Sequence, residues 1–133
     1  MSLTRHQVRE VAFQVAFAQK ANQDVNVEAL TDQIIDGRTV APDNEQYLQQ
    51  LVSGIVSNKE DLDSTVAEKL KDGWTLQRLA KPDLTILELG TFEILHTETP
   101  NSVAINEAIE LAKEYTDESS KSFINGVLSK IAD

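Results

Sequence analysis

The apolar residues of this chain recur at intervals of three and four along nearly its whole length, and this spacing is the feature that most constrains the fold. It is the period of one face of an α-helix, whereas the alternation typical of β-strands is absent. At 133 residues the chain can bury one sizeable core. We therefore predict an all-α fold of about seven helices, in a single domain over residues 1–133. The first apolar stripe consists of Val8, Val11, Ala12, Val15 and Ala16.

Polar residues and glycines at the ends of the stripes predict where several helices begin and end. Thr4 and Gln7 have the capping-box spacing, in which each side chain accepts a hydrogen bond from the other residue's backbone N–H. Asp43 and Gln46 repeat that spacing before the third stripe. Gly73 is expected to end the fourth helix, because glycine readily adopts the left-handed conformation that closes a helix.

Composition excludes several classes of protein. The chain contains no cysteine, so neither a disulfide framework nor a thiolate metal site is possible. It has no apolar segment of signal-peptide or membrane-spanning character. We therefore expect a soluble, cytoplasmic protein that does not associate with membranes.

The net charge of −10 argues against nucleic acid as a partner, because Lys and Arg must neutralise phosphates. The charge is unevenly distributed, however. Residues 1–20 carry +2 and residues 119–133 carry +1, whereas residues 21–118 carry −13. A basic patch could still meet RNA if the two ends of the chain come together in the fold.

Catalytic signals are weak. Glu93 and His96 form an E-x-x-H unit, but the second copy that a dinuclear iron site would require is absent. We therefore expect a polar pair at a helix end and no metal site. Glu107, Glu110 and Glu114 share a helical face, which we interpret as a solvated face with charge pairs. No phosphate-binding loop or nucleophile motif occurs, so we expect neither an enzyme nor a cofactor.

The first helical turn is more informative, because it carries Arg5, His6 and Arg9. Cations there oppose the helix dipole, and this local cost is offset if an anion is also attracted. Phe17 could stack a base of single-stranded RNA. The alternative is a solvated helix end with Phe17 in the core, and the residues alone do not decide between the two interpretations.

The second half of the chain resembles the NusB family. The stretch Val103–Lys113 with Pro100 before it, and the stretch Ser122–Lys130 after it, are similar to the most characteristic part of that family. Trp74, Arg78, Asp83 and Phe92–Ile94 resemble the preceding helix, and Arg9–Gln14 the opening one. Gly126, inside a helix, costs about 1 kcal/mol relative to Ala, so we expect a neighbouring backbone to pack against it.

The resemblance implies two packed helical sub-bundles and a role in transcription antitermination during ribosomal RNA synthesis. It implies that the protein joins the transcription elongation complex and binds single-stranded boxA RNA together with NusE, a small-subunit ribosomal protein. Some family members form homodimers that would hide the RNA surface. A helical protein-interaction module without significant RNA binding remains the alternative.

The resemblance also implies particular site residues. Asp83 corresponds to an acidic contact with the protein partner, and we assign Arg78 to the same surface. Position 88, where the family commonly has Arg, is Glu here, so we expect altered surface electrostatics near Asp83. The RNA-binding candidates, with Arg9 added from the argument on the first turn, are Arg5, His6, Arg9, Phe17, Glu118, Ser119, Lys121 and Phe123.

Overall fold

The computed structural model describes residues 2–133 and confirms the all-α prediction. Within that range the only extended pairing is an isolated bridge between Ser2 and Thr39. None of the described helices is long and apolar enough to span a membrane. The seven helices are α1 (Arg5–Ala21), α2 (Val27–Ile35), α3 (Pro42–Ser57), α4 (Lys59–Glu68), α5 (Lys81–His96), α6 (Asn101–Tyr115) and α7 (Glu118–Ala132), with a short 3-10 turn at Leu76–Arg78.

Local signals explain most helix ends. Thr4 and Gln7 form the predicted capping box at α1. The prediction for α3 is wrong in detail, because the helix begins at Pro42 and Ala41 is its N-cap. Proline suits the first helical position, where its missing N–H needs no partner. The fourth helix likewise ends earlier than predicted, at Glu68, and Gly73 turns the chain with a φ of 88° beyond it.

Helix α5 is the centre of the molecule. It contacts α1 and α3 as well as α4, α6 and α7, so it joins an N-terminal and a C-terminal sub-bundle. Gly54 of α3 allows a close approach, since a Cβ at that position would lie 2.1 Å from the ring of Phe92. The core is continuous across both sub-bundles. Gly126 was expected to pack against a backbone, but an added Cβ there would meet nothing within 4 Å.

Candidate nucleic-acid interface

Arg9 does not belong to an exposed RNA surface, and this prediction is wrong. Its side chain is 3% exposed, and its Nε and Nη2 donate to the two carboxylate oxygens of Glu93 at 2.7 and 2.9 Å. Tyr47 also donates its hydroxyl to Glu93. Burial would lower the pKa of Arg9, but the bond to Glu93 outweighs it and the pKa rises. Arg9 therefore joins α1 to α5, and its guanidinium is not available to phosphate.

Arg5 remains a candidate for phosphate contact. Its guanidinium lies 4.1 Å from the centre of the Tyr47 ring, and its Nε donates to Asn44 at 2.8 Å. No carboxylate of the described residues forms an ion pair with it. Arg5 lines an open cleft of about 760 Å³ whose walls also include His96 and Val103. Stacking on Tyr47 holds the cation at the mouth of this cleft without neutralising it.

His6, by contrast, is held between two carboxylates of α6. Its Nδ1 lies 2.6 Å from Glu107 and its Nε2 lies 2.8 Å from Glu114. Burial would lower the pKa of His6, but the hydrogen bonds to Glu114 and Glu107 outweigh it and the pKa rises. Glu10 faces Glu114, and burial together with this close approach raises its pKa to about 7. The predicted face of simple charge pairs is thus correct for Glu110, which binds Lys113 at 3.1 Å, but not for its two neighbours.

Phe17 lies at the surface rather than in the core. Its ring is 38% exposed and stacks on Phe13 with a centroid distance of 5.9 Å. Phe13 is buried and packs in turn on Tyr115, the last residue of α6, at 4.5 Å. The exposed ring is therefore rigidly supported, and two aromatic contacts link it to the loop that leads into α7. Such a ring can stack an unpaired base.

The start of α7 presents polar side chains to solvent. Asp117 caps the helix by accepting from the backbone N–H of Ser120. Glu118 and Ser119 are exposed, and Lys121 binds Glu118 at 2.8 Å. Because Glu118 itself is almost fully exposed, this i, i+3 pair contributes little and opens readily. Lys121 can therefore exchange its carboxylate partner for a phosphate.

Phe123 forms a groove with residues from the segment before α5. Its ring lies 6.0 Å from that of Trp74, which is 46% exposed. The guanidinium of Arg78 lies over the Trp74 ring, 5.0 Å from its centre. A cavity of about 360 Å³ brings these three residues together with Asp83 and Ser119. The groove thus unites both residues assigned to the protein partner with two of those assigned to RNA.

Asp83 lines this groove, and its carboxylate is incompletely hydrogen-bonded. One of its carboxylate oxygens is buried and has no hydrogen-bond partner among the described residues. Burial raises its pKa above the ordinary value. A buried acceptor without a donor is costly, so an external donor that reached it would gain a strong hydrogen bond.

Sequence reasoning missed three lysines beside the groove. Lys69, Lys71 and Lys130 line a second cavity of about 410 Å³ that also contains Trp74 and Phe123. None of the three forms an ion pair within the part of the chain that the structure describes. They come from the end of α4, the following loop and the end of α7. No local run of basic residues therefore predicts this group of lysines.

The basic ends of the sequence do not form the positive patch that their charge suggested. Lys20 binds the buried Glu88, as Arg9 binds Glu93, so two of the three N-terminal cations are neutralised internally. Glu88 is 0% exposed, which makes the predicted effect on surface electrostatics near Asp83 wrong. Glu93 is likewise a buried ion-pair residue rather than half of a polar pair, and His96 stacks on Phe92 instead.

Comparisons with known proteins agree with this architecture. A family model described as the NusB family matches residues 6–133. The transcription antitermination protein NusB of Pediococcus pentosaceus is 54% identical, over 99% of each chain. The same protein of Enterococcus faecalis is 41% identical, over 97% of this chain and 89% of its own length.

Solved structures are similar over almost the whole length as well. T. maritima NusB superposes with a TM-score of 0.88 at 32% identity, covering 99% of this chain and 92% of its own. The antitermination factors NusB and NusE in complex with dsRNA include a chain that superposes with a TM-score of 0.83 at 25% identity, over 98% of each chain. On sequence and on fold, the chain belongs to the NusB family.

Proposed function

We propose that this protein is a transcription antitermination factor that, with NusE, binds the boxA element of nascent ribosomal RNA within the elongation complex. Relatives that are 41 to 54% identical carry the name of that factor. A structural relative of similar length is found in complex with NusE and RNA. The observation that carries the residue-level proposal is the groove between Trp74 and Phe123. There the exposed ring of Trp74 lies beside lysines that form no ion pair within residues 2–133.

RNA binding is assigned to the rings and cations that have no strong internal partner. Phe17 and Phe123 are the stacking platforms, since each presents ring surface and rests on another aromatic ring. Arg5 and Lys121 supply phosphate contacts, and Ser119 offers an exposed hydroxyl. The carboxylate of Glu118 repels phosphate. Its role in RNA binding is to give up Lys121, which then contacts a phosphate. His6 contributes only when it leaves its two glutamates.

Partner binding is assigned to the base of the groove. The half-buried carboxylate of Asp83 accepts a hydrogen bond from a basic side chain of the ribosomal protein. Arg78, held over Trp74, stands beside it and orients the approach. The net charge of −10 favours association with a basic protein and disfavours binding of RNA alone. RNA affinity is therefore expected to depend on the partner.

The NusB family is a family of antitermination factors and not a known family of enzymes. We assign this chain no catalytic role and no cofactor. Transcription in bacteria takes place in the cytoplasm, which is the proposed location of this protein.

The test is binding of a fluorescent boxA-type RNA by anisotropy, with and without NusE, at about 50 and 200 mM salt. Phe123→Ala is expected to weaken partner-assisted binding about tenfold, because stacking contributes about 1–3 kcal/mol per base. Arg5→Ala is expected to remove one phosphate contact. The slope of the logarithm of the binding constant against the logarithm of the salt concentration should therefore fall by about one. Asp83→Asn is expected to weaken binding of NusE in the absence of RNA.

Matched variants separate these effects from general damage. Leu30→Ala removes a ring-free apolar side chain of α2 that is half-buried like Phe123, and it serves as the control for Phe123. Lys121→Ala is expected to weaken RNA binding by the loss of one phosphate contact. Lys113→Ala is its control, because each lysine binds a glutamate three residues earlier. Asp32→Asn, on the exposed surface of α2, is the control for Asp83. If the controls weaken binding as much as the site variants, the proposed surface is wrong.

The alternative is a protein-interaction module that has lost useful RNA binding. The internal neutralisation of Arg9 and Lys20 favours this alternative, because it removes two of the basic residues near the N-terminus. It predicts tight binding of NusE that Asp83→Asn weakens, with no binding of boxA RNA by the complex at low salt. The same anisotropy experiment therefore decides between the two functions.

A further inference from the structure

Two helices that are distant in sequence bring one imidazole and three carboxylates together at the surface. His6 and Glu10 lie one turn apart on α1, and Glu107 and Glu114 lie on the facing side of α6. The ligand atoms of His6, Glu10 and Glu114 all lie within 4.8 Å of one another. The sequence predicted only a solvated acidic face on α6. The approach of His6 and Glu10 to this face results from the packing of α1 against α6.

Glu107 gives this cluster a feature that a chance group of acidic residues lacks. Its carboxylate lies 2.6 Å from Nδ1 of His6, on the side of the ring away from Glu114. Histidines that bind metal through one ring nitrogen characteristically donate the other N–H to a carboxylate, which fixes the tautomer and orients the ring. Here Glu107 holds Nδ1–H, and Nε2 points at Glu114, 2.8 Å away.

We propose that His6, Glu10 and Glu114 bind a divalent transition-metal ion such as Zn²⁺, with Glu107 as the residue that orients the histidine. Nitrogen and oxygen ligands around zinc lie about 2.0–2.2 Å from the ion, so tetrahedral ligand atoms lie about 3.4 Å apart. Because the ligand atoms lie within 4.8 Å of one another, rotations of the side chains are expected to bring them to this spacing. An imidazole ligand selects Zn²⁺ over Mg²⁺ and Ca²⁺. Solvent fills the fourth position, because Glu114 is exposed.

The ion would cross-link α1 to α6 and neutralise carboxylates on both helices. The inference stands apart from the proposed function, since the site binds its ion in the absence of RNA and NusE. Isothermal titration calorimetry of the metal-free full-length chain with Zn²⁺ tests the proposed site. We expect one ion per chain, and no displacement by a large excess of Mg²⁺.

The variants make the assignment specific. His6→Gln and Glu114→Gln are expected to weaken Zn²⁺ binding at least tenfold, and Glu107→Gln by about 10- to 100-fold, the usual effect of losing an orienting partner. His96→Gln, which changes the only other histidine, and Glu110→Gln, which changes a neighbouring glutamate of α6, leave binding unchanged. Circular dichroism of each variant checks that the helices are intact.

Thermal unfolding supplies a second measurement. Zn²⁺ is expected to raise the unfolding temperature of the wild-type chain and of His96→Gln, because an ion that binds only the folded state stabilises it. It is expected not to do so for His6→Gln. Absence of Zn²⁺ binding by the wild-type chain, or equal binding by His6→Gln and His96→Gln, would overturn the proposal.

Discussion

Helix α5 carries two buried glutamates that meet their cations in different ways. Both side-chain oxygens of Glu93 accept hydrogen bonds. Arg9 donates one to each oxygen, and the Tyr47 hydroxyl donates a third. Glu88 has Lys20 on one oxygen only. Within residues 2–133 its other oxygen has no hydrogen-bond partner. The same is true of one oxygen of Asp63, whose other oxygen binds Lys59 at 2.9 Å. One site is saturated with donors, and the other lacks one.

The difference shows how the two sites handle a buried negative charge. Arginine stays charged and supplies two parallel donors, so both side-chain oxygens of Glu93 are hydrogen-bonded in the core. Lysine supplies a point charge, and Glu88 also faces Asp63. Burial and this neighbour raise the pKa of Glu88 to about 7, against the opposing effect of Lys20. At the second site, a proton on Glu88 takes the place of the missing donor.

The largest expected effect is at the saturated site. Arg9→Met leaves the carboxylate of Glu93 buried without its cation, which typically costs about 3–5 kcal/mol in the free energy of unfolding. Urea denaturation at pH 6 measures it. Arg9→Met combined with Glu93→Leu should recover much of that loss, since the pair is then replaced by apolar groups of similar volume. If the double variant is no more stable than the single one, packing rather than charge accounts for the loss.

Lys20→Met tests the other site and should have a smaller effect. The loss of Lys20 raises the pKa of Glu88 further, so the acid becomes neutral instead of remaining an unpaired charge. We expect a cost of about 1 kcal/mol, the value of one hydrogen bond, in the same urea experiment at pH 6. Costs of equal size for Lys20→Met and Arg9→Met would contradict the distinction between the two sites.

These networks also mark the limit of what the sequence predicts. The helices follow from short-range rules, and the capping box at Thr4 was visible in the sequence. Arg9 was assigned to RNA because it is close to Arg5 along the chain. Its actual partner, Glu93, lies 84 residues away, and no local pattern joins the two.

The candidate site was partly predictable for the same reason. Phe123, Ser119 and Asp83 were named from the family resemblance, and the structure brings all three to one groove. The lysines at positions 69, 71 and 130 were missed, because they become neighbours only when α4 and α7 pack together. Residues that act through their own helix can be read from the sequence, whereas a surface assembled from several helices requires the fold.

The smallest change in stability, and the sharpest test of the comparison, is expected for Glu88→Gln. Near pH 6 the amide replaces a largely neutral carboxyl group, since the pKa of Glu88 is about 7, so the free energy of unfolding should hardly change. The pH dependence should differ. A carboxyl group whose pKa is raised on folding stabilises the protein at low pH and loses that contribution as pH rises through the folded pKa.

The stability of the wild-type chain should therefore fall as pH increases from about 4.5, the ordinary pKa, to about 7. His6 and Glu10, whose pKa values are also raised, add slopes of the same sign in both proteins. Asp63 has a lowered pKa and contributes only in more acidic solution. The part of the slope that Glu88→Gln removes belongs to Glu88, and it is measured by urea denaturation in steps from pH 5 to pH 8. Parallel curves for the two proteins would mean that Glu88 carries its charge throughout and that no proton replaces the missing donor at this site.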